Sequence, residues 1–259
     1  MDLGISGRKA IVCASSEGLG KGCALALAEA GCDVVVNART QATVDSTVAE
    51  IAAATGANVT GVAADVGTPE GQKALLTACP SPDILVNNNG GPPRRDHMEL
   101  DREAMINGVV QNMITPIELI QAVASGMAER NFGRIVNITS LSVLMPIEGL
   151  DLSSGARAGL TAFLAGVRPV YAGQNVTINN LLPGKMDTKR LRGGFAAGSK
   201  ASGRPVEDIA QAQMQEIPAK RFGTPEEFGN TCAFLCSTHA GYITGQNILM
   251  DGGLFPHSF

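Results

Sequence analysis

Three side chains in the stretch "ITSLSVLMPIEGLDLSSGARAGL" (138–160) could act together on a small oxygen-bearing ligand: Ser140, Ser153 and Arg157. Ser153 and Arg157 are four residues apart, a spacing that puts both on one face of a helix. Hydroxyls and a guanidinium donate hydrogen bonds, so the set can hold an oxyanion or a carboxylate. It moves protons poorly, because an alkyl hydroxyl is far less acidic than a phenol and an arginine stays charged. Four other groups could bring a proton: His97, Asp151, Lys185 and Asp187. The plainer reading of His97 is a solvated loop residue, and of Asp151 a helix cap. Arg94 and Arg95, in the same loop as His97, either meet an anionic substrate or are simply solvated.

A second constellation lies near the start of the chain. The apolar run "KAIVCAS" passes into "CASSEGLG" (13–20), where Ser15, Ser16, Gly18, Leu19 and Gly20 form a turn that opens a helix. Glycines there let the backbone approach a pyrophosphate, whose charge the helix N-terminus favours. Ala14 occupies the place of the first glycine of such a turn. Its methyl fits if the backbone torsion is negative and otherwise crowds the cofactor. After the next apolar run, "NART" offers Ala38 where an acid would grip a ribose 2′-hydroxyl, followed by Arg39. A guanidinium matches a phosphate, so NADP(H) is favoured, with NAD(H) as the alternative. Glu17 opposes a nearby phosphate, and Lys21 is expected to offset it in part.

These groups need a scaffold, and the pattern supplies one. Short Val/Ile-rich runs predict strands at 9–15, 33–39, 58–66, 83–88, 133–140, 175–184 and 246–253. Amphipathic stretches predict helices at 18–31, 41–56, 69–79, through 100–129, and at 152–172 and 225–238. Nearly all-apolar strands separated by helices indicate a parallel sheet covered on both faces, hence an α/β doubly wound fold of the Rossmann type. The alternation is unbroken, so residues 1–259 read as one dinucleotide-binding domain. The one long interruption, 186–224, follows a strand at its carboxyl end and is expected to cover the substrate.

Composition removes other classes. With 259 residues, 44% hydrophobic, the chain can bury a full core. Its net charge is −4 and it has no basic run, which argues against a nucleic-acid or polybasic membrane partner. No apolar run approaches bilayer length, and the N-terminus does not read as a secretory signal. The six cysteines form no C-x-x-C pair, so they are expected as buried thiols of a cytoplasmic protein, with no metal site.

Taken together the motifs resemble the short-chain dehydrogenase/reductase superfamily over nearly the whole length. They are "CASSEGLG", "ADV" (64–66), "NNNG" (87–90), "NITS" (137–140), "LPGKMDT" and the segment "RFGTPEEFGNTCAFLCSTHAGYITGQNILMDGG". The resemblance implies an oxidoreductase acting on a small molecule and, typically, a homotetramer. It implies adenine contacts at Asp65 and Val66, nicotinamide-ribose contacts at Asn88 and Gly90, and Met186 with Thr188 over the nicotinamide and phosphates. Its catalytic quartet is Asn, Ser, Tyr and Lys. Asn112 and Ser140 match the first two, whereas Ser153 and Arg157 stand in place of the tyrosine and lysine. The chain is therefore expected to be a reductase of a small carbonyl, alcohol or imine with an unconventional proton path. A lyase or isomerase on the same scaffold and a nucleotide-binding protein without turnover are the alternatives.

Overall fold

In the computed structural model, which describes residues 1–256, seven parallel strands form one sheet in the order β3-β2-β1-β4-β5-β6-β7. The strands are β1 (Lys9–Val12), β2 (Asp33–Ala38), β3 (Val59–Ala63), β4 (Ile84–Asn87), β5 (Gly133–Ile138), β6 (Val176–Pro183) and β7 (Asn247–Met250). The helices are α1 (Gly18–Glu29), α2 (Gln41–Thr55), α3 (Pro69–Ala78), α4 (Arg102–Val109), α5 (Thr115–Glu129), α6 (Asp151–Ala172), α7 (Lys189–Ser202), α8 (Val206–Glu216) and α9 (Pro225–Cys236). The predicted doubly wound sheet is present. Strand order reverses between β1 and β4, which opens a crevice at their carboxyl ends, where such folds bind ligands.

Alternation along each strand builds one core per face. Ala10, Val12, Ile84 and Val86 pack with Leu27 of α1 and with Phe228 and Cys232 of α9. Ile11, Leu85 and Ile135 face the other way, onto Leu75, Leu119, Leu160 and Leu164. All six cysteines are buried and unpaired with one another, as expected. Asparagines at matched register form an amide ladder across four strands. Asn87 donates to Asn137 (2.9 Å), Asn137 to Asn180 (3.1 Å) and Asn180 to Asn247 (2.8 Å).

Four segments differ from the sequence reading. The strands at 9–15 and 58–66 end earlier, at Val12 and Ala63, because the residues beyond turn over the sheet edge to build the nucleotide crevice. The helix expected through 100–129 is interrupted by a π-turn over Val110–Ile114, in which the Thr115 N–H reaches back five residues to the Val110 carbonyl. Pro116 accounts for this: it has no N–H to give the Asn112 carbonyl, and its ring would press on it. The stretch 186–224, for which the sequence reading gave no elements, carries α7, capped by Thr188, and α8.

Candidate active site

The glycine turn is held by residues on two strands. Ala14 has φ +45°, the left-handed region, so the condition under which its methyl was expected to fit is not met. Asn37 and Asn88 impose this conformation. The Ala14 N–H donates to Asn37 Oδ1 (3.1 Å), and Asn88 Nδ2 donates to the Ala14 carbonyl (3.0 Å). Asn37 also donates to the Val62 and Ala64 carbonyls, so it ties β1, β2 and β3 at the crevice. Sequence reasoning missed Asn37, although a lone amide at the end of "DVVVNA" was a signal. A β-carbon in the left-handed region costs about 1–2 kcal/mol. Ala14→Gly is therefore expected to stabilise the protein by about 1 kcal/mol and to raise the melting temperature by about 2–4 °C. Thermal unfolding followed by circular dichroism checks this.

The side chain of Ser15 is fully buried, donating to the Val12 carbonyl (2.7 Å) and accepting from the Asn37 N–H (2.9 Å). Its backbone N–H donates to the Asn37 carbonyl as well (2.8 Å), so Ser15 holds the turn and presents no free donor to a ligand. Glu17 precedes α1 without a side-chain cap, so the N–H groups of Gly18, Leu19 and Gly20 stay available to an anion. Gly20 packs against the turn itself: a β-carbon there would lie 2.4 Å from the Ala14 carbonyl oxygen. Lys21 does not offset Glu17, because it pairs with Glu50 at 2.6 Å; Lys189 meets Glu17 instead, at 3.0 Å. Thr188 lies across from Gly18, and Met186, buried, bridges to Gly223.

At the other end of the crevice Arg39 is exposed and makes no bond to another described residue. The Thr40 side chain does not cap α2, which leaves that helix start open beside Arg39. Asp65 accepts from the Gly67 N–H at 2.9 Å through one oxygen, and Val66 beside it is buried. Gly90 borders open space. An uncapped α1, an open glycine and an unpaired arginine make a cradle that fits NADP(H).

The catalytic segment leaves β5 at Ile138. Arg157 on α6 reaches back to it, donating from Nη1 to the Ile138 carbonyl (2.6 Å) and from Nε to Ser153 Oγ (3.2 Å). Ser140 Oγ accepts from the Ser142 N–H (3.1 Å). Each hydroxyl oxygen thus receives an N–H, and its own proton is free to point at a ligand. Arg157 is 8% exposed; burial and Arg190 lower its pKa to about 10, so it remains a cation at neutral pH. Asn112, also buried, lies on the π-turn and donates to the Gly108 carbonyl. Asn87, Asn112, Thr115 and Arg157 line a small space of about 20 Å3; Asn87 Oδ1, Asn112 Oδ1 and Thr115 Oγ1 have no protein partner. It adjoins an open cavity of about 330 Å3 between the 90–95 loop and α4.

None of the four groups considered as a proton source bonds to this centre. His97 pairs with Asp96 on an exposed 3-10 turn, Lys185 with Glu216, and Asp187 with Arg192. Asp151 is exposed in the first turn of α6; Leu150, not Asp151, is the N-cap.

A family model described as enoyl-(acyl carrier protein) reductase matches residues 13–255. The chain belongs to the short-chain dehydrogenase/reductase superfamily. Among its relatives, the 3-oxoacyl-[acyl-carrier-protein] reductase FabG of Vibrio cholerae is 31% identical, with 98% of this chain and 99% of that protein aligned. Dehydrogenase/reductase SDR family member 4 of Oryctolagus cuniculus is 33% identical, over 96% of this chain and 94% of the relative. The structure of L-sorbose reductase from Gluconobacter frateurii, complexed with NADPH and L-sorbose, superposes with a TM-score of 0.94 at 29% identity, covering 99% of this chain and all of that one. No helix of the described residues is long and apolar enough to cross a membrane, and no group of His, Cys, Asp or Glu among them could hold a metal.

Proposed function

We propose that the protein is an NADP(H)-dependent oxidoreductase of a small carbonyl, alcohol or imine, and that its reacting centre consists of donors without a proton-shuttling side chain. The observation that carries this reading is the pair of hydroxyls, Ser140 and Ser153, each with its oxygen occupied by an N–H. Bound NADPH supplies a hydride. The two hydroxyls hold the substrate oxygen or nitrogen, and the buried guanidinium of Arg157 offsets negative charge that develops there. The product oxygen takes its proton from solvent water, whereas a protonated imine needs none. Asn112 and Thr115 keep polar groups in the space behind Arg157. In this reading α7 and α8 cover the substrate.

The outer face of α4 to α6 exposes Met105, Ile106, Ile114, Phe163 and Val170. Apolar side chains in such number suit a subunit interface, in keeping with a homotetramer. Size-exclusion chromatography with light scattering reads the assembly directly.

Cofactor choice rests on Arg39. Arg39→Asp is expected to weaken NADPH binding by about 10- to 100-fold, the worth of one charge-assisted phosphate contact. NADH, lacking that phosphate, is expected to bind the variant at least as well as it binds the parent protein. Fluorescence titration of both nucleotides tests this. Equal NADPH affinity in the two proteins would sink the assignment of Arg39.

A further inference from the structure

Around the reacting centre the structure gathers three arginines, Arg94, Arg157 and Arg190, that form no ion pair with any described carboxylate. Arg157 is nine-tenths buried, bonds only to a hydroxyl and a backbone carbonyl, and forms no ion pair with any described residue. Its Nη2 makes no hydrogen bond to a described residue, and Arg157 lines the small space that adjoins the open cavity. The charge that acts on it from outside is another cation, Arg190, on which Arg94 acts in turn. Arg190 stands in the first turn of α7 and donates to the Gly91 (2.9 Å) and Pro92 (3.0 Å) carbonyls. The Arg95 N–H donates to the Gly149 carbonyl (3.1 Å), just ahead of the helix that bears Ser153. The loop after β4, the catalytic segment and α7 therefore meet, each bringing an arginine to one mouth. Elsewhere the cations beside this region are answered: Lys185, Lys189 and Arg192 all have carboxylate partners. Of the carboxylates on the open cavity, Asp101 caps α4, accepting from the Ala104 N–H, and Glu103 lies in the first turn of that helix.

A buried cation left without a counter-charge is costly unless something else supplies one. We infer that the substrate supplies it: the molecule reduced is a small oxo acid, or its imine, whose carboxylate is bound by Arg157 Nη2 and the Ser153 hydroxyl under the field of Arg190 and Arg94. A planar two-oxygen anion matches one guanidinium N–H edge with one hydroxyl better than a tetrahedral dianion would. This inference rests on the hydride-transfer reading of the same site for the word "reduced", but not for the anion.

Two measurements separate the two. The first is calorimetric titration of the protein, loaded with NADP+, with malonate. Malonate is expected to bind, and Arg190→Gln to weaken it by about tenfold, as for the loss of one long-range charge at a desolvated site. Arg190→Lys is expected to restore it, which a purely structural role in tying α7 to the 91–92 carbonyls would not. Arg94→Gln, a second variant on an exposed loop, is expected to weaken malonate by a smaller factor. The second is NADPH oxidation with straight-chain 2-oxo acids against their methyl esters. The acids are expected to be preferred by about 100-fold in kcat/KM, with Arg190→Gln raising KM for the acids alone. Oxidation of NADPH by esters and uncharged ketones as readily as by acids overturns the inference and leaves the reductase reading standing. Malonate binding that Arg190→Gln weakens, with no turnover of acid or ester, leaves the anion site standing and removes the reductase reading. No binding of malonate overturns the inference whatever the turnover.

Discussion

Gly20→Ala is expected to lower NADPH affinity by more than about 100-fold and to destabilise the fold by about 1–3 kcal/mol, the range for forcing extra volume into a packed site. A β-carbon at Gly20 would lie 2.4 Å from the Ala14 carbonyl oxygen and 2.7 Å from Asn88 Nδ2, and neither can retreat freely. The carbonyl belongs to a residue already held in the left-handed region, and the amide is the group that holds it there. Relief requires the turn to move off the start of α1, where the pyrophosphate would be bound. Nucleotide titration and thermal unfolding read both effects. Gly194→Ala on α7, where an added methyl meets nothing within 4 Å, is the matched control and is expected to change neither. A Gly20→Ala protein that binds NADPH as well as its parent would mean that this turn does not cradle the nucleotide.

Ser140→Ala is expected to reduce kcat by about 10²- to 10³-fold, the usual consequence of removing one donor to a developing oxyanion. NADPH affinity is expected to stay within about threefold, because in the proposed reading the hydroxyl meets the substrate and not the cofactor phosphates. The structural cost is small: the Ser142 N–H loses its acceptor, worth about 1 kcal/mol. Ser153→Ala is expected to act in the same direction and also to free Arg157 Nε. If Ser140→Ala left kcat unchanged while Ser153→Ala abolished it, Ser153 alone would be the polarising group. Steady-state kinetics on both variants separates the cases.

The parts of this molecule that were legible in its sequence are those in which one local rule suffices. Nearly all-apolar runs such as "DVVVNA" and "ILVN" read as interior strands, and the glycines of "CASSEGLG" as the opening of a helix. The spacing from Ser140 to Ser153 and Arg157 suggested that the three come together, and the chain does fold back so that Arg157 touches Ser153 and the strand leading to Ser140. What could not be read were properties that depend on partners far away in sequence. Ala14 takes a positive torsion because Asn37 and Asn88 fix its two polar groups; nothing local announces it. Lys21 looks like the neighbour of Glu17 along the chain, yet α2 offers it Glu50 and α7 brings Lys189 to Glu17. The π-turn at 110–114 was signalled by Pro116, but the helical periodicity on either side masked the break. Arg190 escaped notice for a similar reason. Its role depends on carbonyls of Gly91 and Pro92, which lie about a hundred residues earlier.

The most direct test is hydride transfer itself. NADPH carrying deuterium at C4, in one or the other of its two faces, would be incubated with the protein and 2-oxo acids, ketones or imines, and the products weighed by mass spectrometry. One of the two labelled cofactors, and not the other, is predicted to deliver a single deuterium to the carbon that was reduced. NADPH that binds tightly but passes deuterium to no product, across the acids and the imines alike, would contradict a reductase and leave a dinucleotide-binding protein without turnover.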